Sequence, residues 1–310
     1  MSPSDRGTGD RPLAVGLVGA GPWASMLHAP MLAAGPYTTL TGIWARRSEA
    51  AAALAEAHGV VAFGRYDQLI DASEAVAFAV APDAQADLAP AAARAGRHLL
   101  LEKPLALDLP AAEALVRAVD DSGVVSQMVL TQRYTPVMAE FIAAARTSAP
   151  VAARLASISG AALDGAVFAT PWRVRYGALL DIGPHVLDLA QAMLGPVDDI
   201  TAIGHPLGVV LLSCRHIGGA VSQAALSIAQ RIDPPVWRAE VYGRAGNAVF
   251  DADEVDMEAQ FRSAAESIPR ELAQSVHTGK GHPLDASHGL ELQRLLDRAS
   301  GMLSSPHTRG

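Results

Sequence analysis

The turn Gly19-Ala20-Gly21-Pro22-Trp23-Ala24 follows a short apolar run, Leu13–Val18, and opens a helical stretch that reaches about Ala34. Strand, glycine turn and helix in that order leave few folds open. The first glycine permits a tight turn and the second lets a pyrophosphate approach the backbone. The small third position, Ala24, lets the helix pack close to the strand. The helix start then offers unpaired N–H groups and a positive dipole end to a phosphate. The expectation is a dinucleotide site built on Gly19, Gly21, Pro22, Trp23 and Ala24.

The chain continues in the same alternation. Thr39–Trp44 reads as a second strand and Ser48–His58 as a second helix, with Ser48 as its N-cap. Ala75–Val80 is a further strand, with a helix through Ala95, the strand His98–Leu101, a helix from Asp108 to about Ser122 and the strand Val124–Val129. Such an order implies a parallel sheet covered by helices. Beyond Leu130 the pattern changes. A helix at Thr135–Ala145 is followed by strand-like runs at Ala152–Ser159, Val209–Arg215, Ala220–Ala229, Ala239–Tyr242 and Ala248–Phe250. Gly218-Gly219 and the stretch Gly243 to Gly246 read as hairpin turns. The expected fold is α/β: a Rossmann doubly wound parallel sheet over residues 12–130, then an α/β domain over 131–303 with a large, mostly antiparallel open sheet. The helix Ile182–Leu194 packs on that sheet, and a helix from Ser287 to Leu303 closes the chain. Residues 1–11 and 304–310 read as flexible tails.

Composition narrows the partners. The net charge is −8 with no basic stripe, which argues against nucleic acid and anionic membrane surfaces. Cys214 is the only cysteine, so no intrachain disulfide can form and a cytoplasmic setting is expected. It lies in a strand-like run and reads as a buried, inert thiol. No apolar stretch is long enough to span a membrane.

Two further positions bear on the cofactor. About 20 residues beyond the glycines, NAD sites usually place an acidic residue that holds the ribose 2′-hydroxyl. Here that place is Ala45, followed by Arg46-Arg47-Ser48. No carboxylate repels a 2′-phosphate there, and two guanidinium groups are available to pair with one, so NADP is expected over NAD, with NAD possible. The strand His98–Leu101 then runs out at Glu102-Lys103-Pro104. The proline ends the strand and forces a turn, leaving a lysine at the mouth of a buried strand.

These motifs, with later ones, resemble the Gfo/Idh/MocA family of oxidoreductases. The likeness runs through Gly19 to Ala24, Ala81-Pro82-Asp83, the stretch from Ala95 to Pro104, Gln132-Arg133-Tyr134-Thr135-Pro136, Trp172-Arg173, and Gly177 to Asp188 with Asp181, Gly183 and His185. The resemblance implies a Rossmann domain followed by an open-sheet domain whose sheet forms a homodimer or homotetramer interface. It also adds Ala81, Pro82, Glu102, Lys103, Trp172 and Arg173 to the cofactor-binding set. There are departures. Gln85 stands where many members carry His, Gly177 where two or three glycines are usual, and Arg97 in place of Lys, while Pro22 and Trp23 make the phosphate turn bulkier.

By that resemblance the expected activity is hydride transfer between nicotinamide and a carbonyl or hydroxyl of a sugar, sugar derivative or cyclitol. His185 is assigned as acid/base, Lys103 as polariser of the substrate oxygen and Asp181 as orienter, with Lys103 as proton donor the alternative. Competing uses of the same residues are ordinary: Asp181 as a helix cap, His185 as a core histidine, Lys103 paired with a carboxylate. Asp181, His185 and Asp188 suggest a metal set, but no further ligand completes it, and no metal is expected. His277, His282 and His288 read as loop or pocket-rim residues. Two other functions compete: a non-catalytic cofactor or ligand sensor, and an NAD-assisted glycoside hydrolase.

Overall fold

The computed structural model describes residues 11–303, so the expected tails lie, Arg11 apart, outside the described residues. Arg11 is not part of a tail: its guanidinium donates to Glu74 Oε2 at 2.7 Å. The chain divides into two compact units, one of residues up to 129 together with 265–290, the other of residues 130–264 together with 291 onward. A reading of two consecutive blocks misses the return of 265–290 to the first unit.

The first unit holds a six-stranded sheet in the order β3-β2-β1-β4-β5-β6, every neighbouring pair parallel. Its strands are β1 (Leu13–Val18), β2 (Thr38–Trp44), β3 (Val61–Ala62), β4 (Ala75–Phe78), β5 (His98–Leu101) and β6 (Ser126–Met128). The helices between them are α1 (Ala29–Ala33), α2 (Ser48–His58), α3 (Tyr66–Asp71), α4 (Pro82–Arg94) and α5 (Leu109–Ser122). Leu13, Val15, Leu17 and Val18 are all buried, as expected of a strand covered on both faces. Asp108 caps α5 by accepting from Ala111 N at 2.9 Å, a contact of the kind that contributes about 1 kcal/mol. Ser48 does not cap α2. Arg47 is the extended N-cap residue and makes no side-chain cap bond, while Ser48 is the first helical residue.

The second unit begins with α6 (Pro136–Thr147) and β7 (Pro150–Ile158), then α7 (Pro171–Asp181) and α8 (Gly183–Leu194). The strands β8 (Val197–Gly204), β9 (Val210–His216), β10 (Val221–Ser227), β11 (Val236–Gly243) and β12 (Gly246–Asp251) follow. They form a six-stranded sheet in the order β12-β11-β7-β10-β9-β8. Only the β10–β7 pair is parallel. Alternation is clear in β9, where Val210, Leu212 and Cys214 point into the core and Leu211, Ser213 and Arg215 do not. The inward face is covered by α6 and α8. Cys214 is buried, and burial pushes its thiol up to about 11.

Five elements are not expected from the sequence: the short strand β3, the helices α3 and α7, the strand β8 and the helix α9 (Met257–Thr278), which runs through Pro269. The closing helix α10 is Ala286–Met302. The three histidines are not loop residues alike. His277 sits in the last turn of α9, and His288 lies within α10. His282 is buried, faces Glu271 at 3.0 Å and accepts from Leu284 N at 3.0 Å. Among the described residues no helix is long and apolar enough to cross a membrane, and no group of His, Cys, Asp and Glu side chains could hold a metal ion.

Candidate active site

In the first unit the expected residues collect at the C-terminal edge of the parallel sheet. The strand order reverses between β1 and β4, and in open α/β sheets ligands bind in the crevice outside the strand ends at such a reversal. The turn from Gly19 follows β1, Arg46 and Arg47 follow β2, Ala81-Pro82 follows β4 and Glu102-Lys103 follows β5.

The two glycines of the turn do different work. Gly19 has φ +123°, and a Cβ there would lie 2.3 Å from Ala79 O. Its N–H donates to Trp44 O at 2.8 Å, which ties the turn to the end of β2. A Cβ on Gly21 would meet nothing within 4 Å, so the backbone faces open space where a phosphate can approach. The helix is continuous from Pro22 to Ala33, with a π turn over Ala24–His28. Pro22 occupies a first-turn position where its missing N–H costs nothing. Ala24 is fully buried, the close packing expected of the third motif position. This cradle fits a dinucleotide pyrophosphate.

Arg46, Arg47 and Ser48 are exposed. Ala81 is the extended N-cap of α4, and Pro82 is its buried first residue. Lys103 is half-buried.

Glu102 faces inward. Its Oε1 accepts from the Trp23 indole N–H at 2.7 Å and lies 2.8 Å from His28 Nε2, while Oε2 accepts from Lys103 N at 3.2 Å. Gln85, fully buried, accepts from Glu102 N at 2.7 Å and donates to Glu102 O at 2.8 Å and Leu105 O at 3.0 Å. Neither Gln85 nor His28 is among the site residues expected from the sequence.

In the second unit, α7 and α8 meet around Gly177, Asp181 and His185. Gly177 has φ +72° and breaks the helical run, and a Cβ there would lie 1.9 Å from Pro206 O. Asp181 is buried and accepts from Arg173, whose Nε is 3.0 Å from Oδ1. The same guanidinium lies over the Trp172 ring at 4.6 Å and the Phe168 ring at 5.6 Å. Thus Trp172, Arg173 and Asp181 form one cluster. Asp181 ends α7 and does not cap α8, whose N-cap residue is Ile182. His185 is half-buried in the first turn of α8. Asp188, one turn on, is buried and paired with Arg133 at 2.7 Å, so Arg133 anchors α8.

Residues 13–130 match the family model described as the oxidoreductase family with an NAD-binding Rossmann fold. Among curated proteins, a levoglucosan dehydrogenase of Pseudarthrobacter phenanthrenivorans is 27% identical over 64% of this chain and 60% of its own length. A dTDP-3,4-didehydro-2,6-dideoxy-alpha-D-glucose 3-reductase of Streptomyces violaceoruber is 34% identical over 60% of this chain and 55% of its own. The chain thus spans under two thirds of those relatives. Two solved structures share the fold across nearly the whole chain. GenD2 from gentamicin A biosynthesis, in complex with NAD, has a TM-score of 0.85 at 22% identity, covering 97% of each chain. Levoglucosan dehydrogenase with NADH and levoglucosan has a TM-score of 0.81 at 19% identity, covering 94% of this chain and 97% of that one. The parallel sheet in Rossmann order and the glycine turn thus lie in the same stretch, 13–130, that matches the Gfo/Idh/MocA oxidoreductase family model.

Proposed function

We propose that this protein is a nicotinamide-dependent oxidoreductase that interconverts a hydroxyl and a carbonyl on a sugar, sugar derivative or cyclitol. The observation that carries the reading is the pyrophosphate-shaped turn beside a strand-end lysine on one sheet edge, within the segment that matches the family. The substrate class is supported by the names of the two curated relatives, both of which act on sugars.

A bound nicotinamide supplies the hydride donor or acceptor. The chain's own residues do the rest. Gly19, Gly21, Pro22, Trp23 and Ala24 form the phosphate cradle, with Ala81 and Pro82 at the neighbouring strand end. Lys103 hydrogen-bonds the substrate oxygen and stabilises the charge that develops there. His185 takes or gives the hydroxyl proton, and Lys103 is the alternative for that role. Asp181 orients His185 in this reading; its Oδ1 also faces Arg173 Nε at 3.0 Å, and a carboxylate can accept from both partners at once. Trp172 and Arg173 complete the cofactor-binding set.

NADP is the preferred cofactor in this reading. Two exposed guanidinium groups follow β2 where an acidic residue would select for NAD. A cytoplasmic setting suits this chemistry and a single reduced thiol. The solvent-facing side of the second sheet carries Ile203, Leu211, Val221 and Val249, exposed at 66%, 43%, 51% and 50%. We assign that face to a homodimer or homotetramer interface.

The test is turnover with NADP+ and NAD+ against a panel of sugars and cyclitols that includes levoglucosan, for the natural chain and Lys103→Ala. Reduction of the nicotinamide by at least one sugar, lowered by orders of magnitude in Lys103→Ala, is expected. A Lys103→Ala protein as fast as the natural one would remove the lysine from the chemistry. Tight cofactor binding without turnover on any candidate would favour a sensor.

A further inference from the structure

His28 is fully buried on the first helix, one turn beyond Ala24. Its Nε2 lies 2.8 Å from Glu102 Oε1, and among the described residues its Nδ1 has no hydrogen-bond partner. A proton on Nδ1 would be a buried donor with no acceptor, a cost of about 1–3 kcal/mol. The proton therefore sits on Nε2 and points at the carboxylate. The opposite arrangement, a protonated Glu102 donating to Nε2, would force the proton onto Nδ1 and meets the same cost. Glu102 is thus held at Oε1 by two donors, the His28 imidazole and the Trp23 indole, and its Oε2 receives the Lys103 N–H. From the other side, the Gln85 amide binds the backbone at Glu102 and at Leu105. Both flanks of Lys103 are fixed before any ligand arrives.

We infer that His28 is a positioning residue for Lys103, acting through Glu102, with Gln85 clamping the same turn from α4. The inference rests on the reading that Lys103 works on the substrate oxygen. A lysine has four rotatable side-chain bonds, and fixing its backbone removes part of the entropy that would oppose a productive pose. Trp23 also puts the phosphate turn into the same chain of contacts, since its indole reaches the carboxylate that holds Lys103.

The sequence makes this unusually testable. The chain has two lysines, Lys103 and the exposed Lys280. NMR of the full-length, cofactor-free protein labelled with 13C at lysine Cε therefore gives two signals, assigned with Lys280→Arg. The expected wild-type spectrum has Lys103 well separated from Lys280. His28→Leu should move the Lys103 signal more than halfway toward the Lys280 position and leave Lys280 unmoved. His28→Gln, which keeps an N–H donor of similar reach, should restore at least half of the separation. A Lys103 signal unmoved in His28→Leu overturns the inference. So does a His28→Gln signal displaced as far as that of His28→Leu, because His28 would then act through packing alone. Should His28→Leu not fold, the 15N spectrum of the wild-type histidines decides: the Nε2–H tautomer at His28 supports the inference, and the Nδ1–H tautomer overturns it. The spectra need neither cofactor nor substrate. An ordered, His28-dependent Lys103 in a protein without turnover would sink the proposed function and leave the positioning role standing.

Discussion

Single residues divide into those that shape the backbone and those that leave room for a ligand. Gly19 and Gly21 belong to one motif, but only Gly19 is needed for the fold: its φ is +123° and Ala79 O blocks a side chain, whereas nothing lies within 4 Å of a Cβ on Gly21. Gly19→Ala should therefore destabilise the protein by roughly 2–4 kcal/mol, seen as a lowered thermal midpoint, through the strained φ and the clash with fixed backbone. Gly21→Ala should leave the midpoint within about 0.5 kcal/mol of the natural chain, a shift typical of open surface positions. Equal losses in the two variants would show that the turn is strained at both glycines. The motif was legible because a glycine needing positive φ leaves a mark in the sequence at its own position. The roles of His28 and Gln85 were not. Each is a polar residue on an apolar helix face, and its partner in both cases is Glu102, through the carboxylate for His28 and the backbone for Gln85, 74 and 17 positions away. Nothing in the local sequence signals such a contact. A faint clue existed for His28, which shares the buried face of its helix with Ala24 at i, i+4.

At the level of elements, what the chain announced was set by pattern strength. His98–Leu101 is observed with the bounds expected, because a run of three apolar residues, all buried, between a glycine turn and Glu102-Lys103-Pro104 leaves no other reading. Helix α9 went unread because its buried stripe is thin. Ala264, Ile268, Leu272 and Ala273 carry it, half of them alanine, and Pro269 interrupts the run. The strand pair β9–β10 explains a pH effect. His216 is buried, with Nδ1 2.6 Å from Gly195 O and Nε2 2.9 Å from Ser222 Oγ, and burial lowers its pKa from 6.5. His98, at the start of β5, accepts from Val125 N through Nδ1 at 3.0 Å, and burial lowers its pKa from 6.5 as well. In both cases the unfolded chain binds the proton more readily than the folded one, so the folded state loses stability as pH falls from about 6.5 toward the lower folded values. Above that window the two histidines contribute no slope. Chemical denaturation at stepped pH should show this decline, and it should shrink in His216→Gln. An unchanged pH dependence in that variant would assign the decline to other groups.

For the whole molecule, the division into units was legible only in part. The change of character near Leu130 marks where the parallel sheet ends, but the return of 265–290 to the first unit depends on contacts such as Met128 N to Leu284 O at 2.7 Å and Ala286 N to Ser126 Oγ at 3.0 Å. Those add the late segment beside β6 and leave no local signal. Assembly is argued at this scale too. In the second unit one sheet face is covered by helices, while the other carries Leu211 and Ile203 as register partners in solvent. If that face joins copies of the chain, Leu211→Asp should shift the mass measured by light scattering to that of the monomer without lowering secondary-structure content. A natural chain that is already monomeric would dismiss the interface. The central claim is that a nicotinamide dinucleotide rests on the turn from Gly19 to Ala24, and isothermal titration calorimetry of NADP+ into the natural chain and into Gly21→Val tests it most directly. The expected result is binding by the natural chain and a loss of at least about tenfold in Gly21→Val, equivalent to about 1.4 kcal/mol, because the new side chain fills the space that the phosphate needs. Equal affinities in the two proteins, or no binding by the natural chain, would contradict it.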